Sequence, residues 1–401
     1  MPSYAPNNLI ILDPSLVDES GHHLSAARAI ANQCTTLGIK SRIICHINAV
    51  QEVIDLPSTP MFKMSGYALG AFEHQQDEHA AVMLSNNILL TELMQIKQSN
   101  LSPNDFVLFP VVTYSQVIAV CQWISSFRPA LSPKFGLGFL FQMNWRTDGA
   151  LTKSKQSVFK SGLDLLGEEQ KKNVVCTFET EALSAEYRKL SEFKYTVNPI
   201  PTLSASFSTK EIFARRVSKI GSNADTIRIG FIGAAKPEKG IELMPDLIEK
   251  ILQRIKHAEV VVHMNPAEHP ALEQLRESGR INSRLHVSSE PLNQTDYLEL
   301  ISSCDVNVLP YTPATYTARG SALYNESRLL GIPVVVPHNT WMGKVVEKYS
   351  TGTTFSSFDS ESICDAVMRA SDSLEALKIS AFQLAETNQK PSYVEALLQT
   401  F

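Results

Sequence analysis

Short apolar runs alternate along this chain with longer stretches whose apolar residues recur every three or four positions. The first run, residues 9–12, predicts a strand. A loop then passes through Gly21, and a helix is expected over about residues 24–37. Gly38 announces the next strand, residues 41–45. Strand, loop, helix and strand in that order mark a parallel sheet with helices on its faces. Further strands are expected at residues 106–109, 136–141 and 173–177, and a helix between residues 80 and 98.

From residue 198 the pattern lapses into Asn-Pro-Ile-Pro, a Ser/Thr-rich run, a short basic amphipathic piece and Gly-Ser-Asn-Ala-Asp. Residues 201–225 therefore read as a linker. A second alternating series follows, with strands at 227–232, 259–263, 284–287, 305–309 and 332–336 and helices at 240–256, 295–304 and 321–330. Two such series of similar size imply an α/β protein of two Rossmann-like domains facing across a cleft, residues 1–200 and 226–385. The tail from residue 360 has a helical pattern, and residues 386–401 are expected to pack back on the first domain.

Bulk properties narrow the function. The 401 residues are more than one ordinary hydrophobic core takes up. A 44% hydrophobic and 19% charged composition is that of a globular protein. The formal net charge of −5 argues against nucleic acid as a partner, since its binders carry a basic field. Cys34, Cys45, Cys121, Cys176, Cys304 and Cys364 are scattered, with no zinc spacing, and read as buried free thiols in a reducing compartment. No metal site is expected. No signal-peptide pattern opens the chain, and no run approaches the ~20 apolar residues of a membrane span. A cytoplasmic location is expected, with peripheral contact at the inner face of a membrane left open.

Two segments carry candidate chemistry. In Ile-Arg-Ile-Gly-Phe-Ile-Gly-Ala-Ala-Lys-Pro-Glu-Lys-Gly a strand ends at Gly233, a loop carries Lys236 and Lys239, and Gly240 is expected to open a helix. Small residues admit a ligand to the backbone, a helix N-terminus offers N–H groups, and the lysines add charge, which together suit a diphosphate. The plain alternative is a tight turn with solvated lysines. The second segment runs from Leu309-Pro310 through Tyr311, Tyr316 and Arg319 to Gly320 and Ser321, which open a helix bearing Glu326. Gly331 ends that helix, and a loop from His338 to Gly343, containing Thr340, leads into another. Loops at the carboxyl ends of neighbouring parallel strands are where α/β sheets bind ligands. Arg319 can fork onto a phosphate, and Glu326 can accept from vicinal hydroxyls such as those of a ribose. A surface ion pair and a solvated carboxylate are the corresponding plain readings.

These residues resemble family 4 glycosyltransferases. Glu326, five residues before Gly331-Ile-Pro-Val-Val, is similar to the second half of the family's E-x7-E signature, and the Gly233–Gly240 loop to its donor-phosphate loop. Tyr297 and the Cys-Asp-Val-Asn-Val strand match the stretch between. Gly21-His22-His23, Thr180-Glu181 and Asn198 to Ile200 match loosely in the N-terminal half. The resemblance implies a GT-B fold and transfer of a sugar from a nucleotide-sugar donor, with retention, to a glycan or other hydroxyl acceptor, of the kind used in polysaccharide biosynthesis. It places the acceptor in the first domain and the donor in the second. Lys239 would hold the diphosphate, Glu326 the ribose, and the loop around Thr340 would lie near the sugar or phosphates. No cofactor beyond the donor is implied. Two positions depart from the pattern: Ala234 stands where the family has Arg, and Ala318 where the first Glu of E-x7-E falls. Lys236 or Arg319 is expected to supply the missing charge.

In the first half, His22 and His23 follow the first strand, where a histidine could bind a sugar hydroxyl or take the acceptor's proton. A helix-start pair with one ring buried is the competing reading. Glu179 and Glu181 read as a helix N-terminus, residues 72–78 with His74 and His79 as surface, and the lysine-rich residues 153–172, with Phe159 and Leu163 interleaved, as a solvated basic face or else a contact for a membrane or an anionic acceptor. Rival functions are a GT-B sugar-nucleotide epimerase, a phosphorylase-like catalyst and a non-catalytic binding protein on a degenerate transferase scaffold. A dinucleotide dehydrogenase is disfavoured, because no G-x-G-x-x-G follows the first strand.

Overall fold

The computed structural model describes residues 4–18, 22–69, 75–143, 149–201, 226–265, 268–387 and 392–401. The chain divides into two compact units, Met1–Ala205 with Pro391–Phe401, and Ser206–Lys390. The expected linker, residues 201–225, lies outside the described residues except at Pro201, as do Gly21 and His74.

The first unit is built on seven parallel strands: β1 (Asn8–Leu12), β2 (Lys40–His46), β3 (Ser58–Phe62), β4 (Asp105–Phe109), β5 (Lys134–Phe139), β6 (Val174–Phe178) and β7 (Lys194–Val197). Their order is β3-β2-β1-β4-β5-β6-β7. The inner strands β4 and β6 are buried at every position, as a parallel sheet covered on both faces requires. The edge strands β3 and β7 were not expected from the sequence. Ser-Thr-Pro-Met-Phe and Lys-Tyr-Thr-Val are half-polar, and β3 buries only Phe62. The last helix, Tyr393–Leu398, starts with a reciprocal capping box between Ser392 and Glu395. It buries Tyr393, Val394, Leu397 and Leu398 in the same core as Leu9, Ile11, Ala27 and Ile30.

The second unit holds six parallel strands in the order β10-β9-β8-β11-β12-β13. They are β8 (Ile227–Ala234), β9 (Ala258–Asn265), β10 (Leu285–Ser288), β11 (Val306–Val308), β12 (Val334–Pro337) and β13 (Gly352–Phe355). Helix Met244–Arg254 covers one face with Met244, Leu247, Ile248, Ile251 and Leu252, a stripe at three- and four-residue spacing. In each sheet the chain winds outward from a central strand in both directions. The order reverses between β1 and β4 and between β8 and β11, the places where such sheets leave a crevice at their carboxyl ends.

Several local expectations need correction. The helix expected from Gly240 starts at Met244, because two 3-10 turns, Pro237–Lys239 and Ile241–Leu243, come first. The helix expected after Gly343 starts at Trp341, since the Thr340 hydroxyl accepts from the Gly343 N–H and caps it. Residues 72–78 are not all surface. Helix Gln75–Leu93 turns Glu78 inward, 4% exposed, towards the equally buried Lys155 at 3.8 Å. Residues 153–172 are not a solvated basic face. Phe159 and Leu163 are in the core, Lys155 lies 4.2 Å from the Tyr114 ring centre, and Lys160, Lys171 and Lys172 pair with Asp164, Glu168 and Glu169. All six cysteines are buried and free. Burial pushes the thiols of Cys34 and Cys121 up to about 12, so they stay protonated and inert.

Leu397 is fully buried although it lies four residues from the end of the chain. Leu397→Ala should lower the stability of the first unit by about 2–5 kcal/mol. Calorimetry should show that unit's transition moving down while the transition of residues 206–390 holds its place.

Candidate functional site

The carboxyl ends of β8 and β11 bring the two candidate segments of the second unit together. Gly240 has φ +74° between its 3-10 turns, a left-handed conformation that favours glycine. A Cβ there would lie 2.1 Å from the Pro310 carbonyl oxygen, so the β8 loop can reach the β11 loop only with glycine at this position. The Thr312 N–H donates to the Glu238 carbonyl at 3.0 Å and ties the loops a second time. Gly233 is also at positive φ, +139°, and lies beside Lys239, whose Nζ would be in ordinary contact, at 3.5 Å, with a Cβ at this position.

The cations converge on this junction. Lys239 Nζ sits 5.5 Å from the Tyr311 ring centre, and the Arg319 guanidinium 5.2 Å from that of Tyr316. The backbone of Arg319 is held as well, its carbonyl accepting from the Trp341 indole N–H at 2.6 Å. Lys236 is exposed at the start of the loop, and Gly320 is buried between Arg319 and Ser321.

Glu326 is not a solvated carboxylate. It is 4% exposed, and its Oε2 accepts from the Tyr297 hydroxyl at 2.9 Å. Burial, then the charge of Glu326, hold the Tyr297 hydroxyl well above its ordinary range, so it stays a donor. Ser321 and Thr340 were expected among the donor-binding groups, and the structure gives their hydroxyls to other partners. Ser321 accepts from the Tyr324 N–H and donates to the Tyr311 oxygen at 3.4 Å. Thr340, 1% exposed, accepts from the Gly343 N–H and donates to the Pro337 carbonyl at 2.7 Å. Each hydroxyl caps a helix.

In the first unit the corresponding edge holds a polar chain that sequence reading caught only in part. His23 is buried at the head of helix His23–Thr36. Its Nδ1–H donates to Oδ2 of Asp13 at 2.7 Å, and Nε2 lies 3.1 Å from the Tyr67 hydroxyl. His22, half-buried, stacks on it at 4.6 Å. Both ring nitrogens of His23 are thus engaged, one by Asp13 and one by Tyr67. Asp13 directly follows β1, and a carboxylate at the end of a buried strand was a usable signal. Tyr67 comes from the loop after β3, a strand the sequence does not reveal. Burial pushes the Asp13 carboxyl up, but the charge and hydrogen bond of His23 outweigh it and bring it below its ordinary value of 3.8. Burial pushes His23 down, and Asp13 lifts it above 6.5.

Among the described residues there is no group of three or more His, Cys, Asp and Glu side chains that could hold a metal ion. Among them also, no helix is long and apolar enough to cross a membrane.

No family model and no curated protein matches the chain. Solved structures do. A sucrose-phosphate synthase from Thermosynechococcus elongatus superposes with TM-score 0.60 at 13% identity, covering 95% of this chain and 94% of that one. The catalytic domain of starch synthase IV from Arabidopsis thaliana, bound to ADP and acarbose, gives 0.57 at 13% identity over 99% of each chain. A putative UDP-N-acetylglucosamine 2-epimerase from Listeria monocytogenes gives 0.55 at 14% identity, covering 95% and 91%. The fold is therefore GT-B, two Rossmann-like α/β units, and the structural neighbours are chiefly GT-B glycosyltransferases.

Gly240→Ala should destabilise residues 206–390 by at least about 1–3 kcal/mol, since it adds a positive-φ strain to a collision with Pro310. Thermal unfolding of the variant checks this, and an unchanged transition would contradict the close approach. The Asp13–His23 pair makes its full contribution between pH 3.8 and 6.5. Because the folded His23 value is raised, that stability is lost as pH rises through it. Because the folded Asp13 value is lowered, it is lost as pH falls through that one. The midpoint of the first unit should thus fall from pH 6 to pH 8 in the wild type and far less in Asp13→Asn.

Proposed function

We propose that this protein is a glycosyltransferase that moves a sugar from a nucleotide-sugar donor to a hydroxyl acceptor, a glycan or a smaller molecule, with retention of configuration. The observation that carries the reading is the junction of β8 and β11, where Lys239 and Arg319 stand beside the Tyr311 and Tyr316 rings, in the same unit as a buried carboxylate, Glu326, that accepts from Tyr297. Those groups match the two ends of a nucleoside diphosphate. The cations take the phosphates, with Lys236 adding charge at the mouth of the loop, and Glu326 takes the ribose hydroxyls. The starch synthase neighbour is bound to ADP, which supports a nucleoside diphosphate as the ligand class.

In the reaction the bond from the anomeric carbon to the diphosphate oxygen breaks, and negative charge grows on the phosphates. Lys239 and Arg319 stabilise that charge where it develops. The acceptor oxygen bonds to the anomeric carbon on the face the diphosphate leaves, and the acceptor's proton passes to the departing phosphate. In the first unit His22 and the Asp13–His23–Tyr67 chain form the acceptor side, with Tyr67 making the contact and His23 setting it. A cytoplasmic role in polysaccharide biosynthesis, with or without peripheral attachment to a membrane, fits this reading.

One observation favours a second reading. Ala318, 8% exposed, stands where the family resemblance places a carboxylate at the donor sugar. A binding protein on a transferase scaffold would keep the nucleotide and lose turnover. The epimerase neighbour suggests a third, in which a sugar nucleotide is converted without any acceptor.

A nucleoside diphosphate at about a hundred times its Kd should stabilise the protein by roughly 2.7 kcal/mol. Lys239→Ala should lose that shift and the transfer rate together, and an unchanged specific activity in this variant would sink the assignment. Glu326→Ala should bind ribo- and 2′-deoxyribonucleotides equally, where the wild type prefers the former. Binding without turnover of any sugar nucleotide would move the weight to the binding-protein reading.

A further inference from the structure

Helix Ala322–Leu329 carries Glu326 on one face. Tyr324 and Arg328, four residues apart on the same helix, share the opposite face. Together with Thr351 they line a small cavity of about 10 Å³. That is room for a single small species. The remaining wall is aliphatic, with Ile332, Val334 and Leu384 in it. Among the described residues no Asp or Glu lines the cavity.

Two polar atoms here are buried and without a hydrogen-bond partner, Arg328 Nε and the Tyr324 hydroxyl oxygen. Tyr324 is 1% exposed, and burial holds its hydroxyl above the ordinary tyrosine range, so it stays an O–H donor. Arg328 forms no ion pair among the described residues. Burial acts against its charge, yet a guanidinium in a protein keeps its proton. A cation withdrawn from water costs free energy until an opposite charge compensates it. A buried water would satisfy the two donors and leave that charge as it was.

We propose that this cavity binds a monovalent anion of about the size of chloride. Arg328 supplies the opposite charge, and its Nε–H and the Tyr324 O–H both donate to the ion. The aliphatic wall and the small volume shut out sulfate and phosphate. The bound ion joins helix Ala322–Leu329 to Thr351, just ahead of β13, and to helix Leu374–Thr387, which supplies Leu384. Lys236, Lys239 and Arg319 do not line this cavity, so the proposal stands apart from the donor-site reading.

The test is thermal unfolding of the full chain at fixed ionic strength, with sodium chloride exchanged for sodium gluconate, whose anion is too large for the cavity. For a Kd of ~20 mM, about 100 mM chloride should raise the midpoint of residues 206–390 by roughly 2–4 °C over gluconate. Arg328→Met, which removes the charge, should unfold at the same temperature in both salts. Tyr324→Phe, which removes only the O–H, should need several-fold more chloride for the same shift. Crystals grown in bromide should show an anomalous peak between Arg328 and Tyr324. Equal wild-type midpoints in the two salts would overturn the proposal. So would a full chloride shift in Arg328→Met, or a water in place of bromide at that position.

Discussion

The second unit depends on one close approach, that of the Gly240 backbone to the Pro310 carbonyl. No side chain fits between them, and the contact brings the loop after β8 against the loop after β11. The cations of the proposed donor site meet through that proximity. Lys239 comes from one loop, and Tyr311, Tyr316 and Arg319 come from the other. The reversal of strand order between β8 and β11 makes room for the junction, because connections leave these neighbouring strands in opposite directions.

Charge in the two units is handled in different ways. At the β8–β11 junction Lys239 and Arg319 stand beside the Tyr311 and Tyr316 rings, and Glu326 accepts from the Tyr297 hydroxyl. At the end of β1 the carboxylate and the imidazole are held by each other, and the histidine passes its influence on to Tyr67. Buried Lys155 and Glu78 show a third arrangement, a pair too far apart to hydrogen-bond and steadied by the Tyr114 ring.

Much of the fold was legible in advance, and the reason is visible element by element. β4 and β6 are continuous apolar runs because both faces of a central parallel strand are covered, and such runs are hard to misread. β3 and β7 are edge strands with one neighbour each, so their residues carry no such signature. In the lysine-rich residues 153–172 the apolar Phe159 and Leu163 are the ones that pack, and the lysines between them carry no mark of which face is covered. Lys239, Arg319 and Glu326 could be picked out as a group because they sit in short segments next to strand ends. Ser321 and Thr340 occupy the same loops, yet their hydroxyls cap helices, a use that no spacing distinguishes from ligand binding.

The order of the residues by itself determined the alternation of strand and helix, the two sheets and the loops that lie at their carboxyl ends. These follow from local periodicity and from glycine, proline and capping residues, whose preferences act over a few positions. Only the tertiary structure decided which distant residues meet. Tyr297 reaches Glu326 across 29 positions, Tyr67 reaches His23 across 44, and Gly240 meets Pro310 from another strand's loop. The physical reason is that such contacts are set by strand order and helix packing, which sum weak preferences over a whole unit and leave no mark on any one residue.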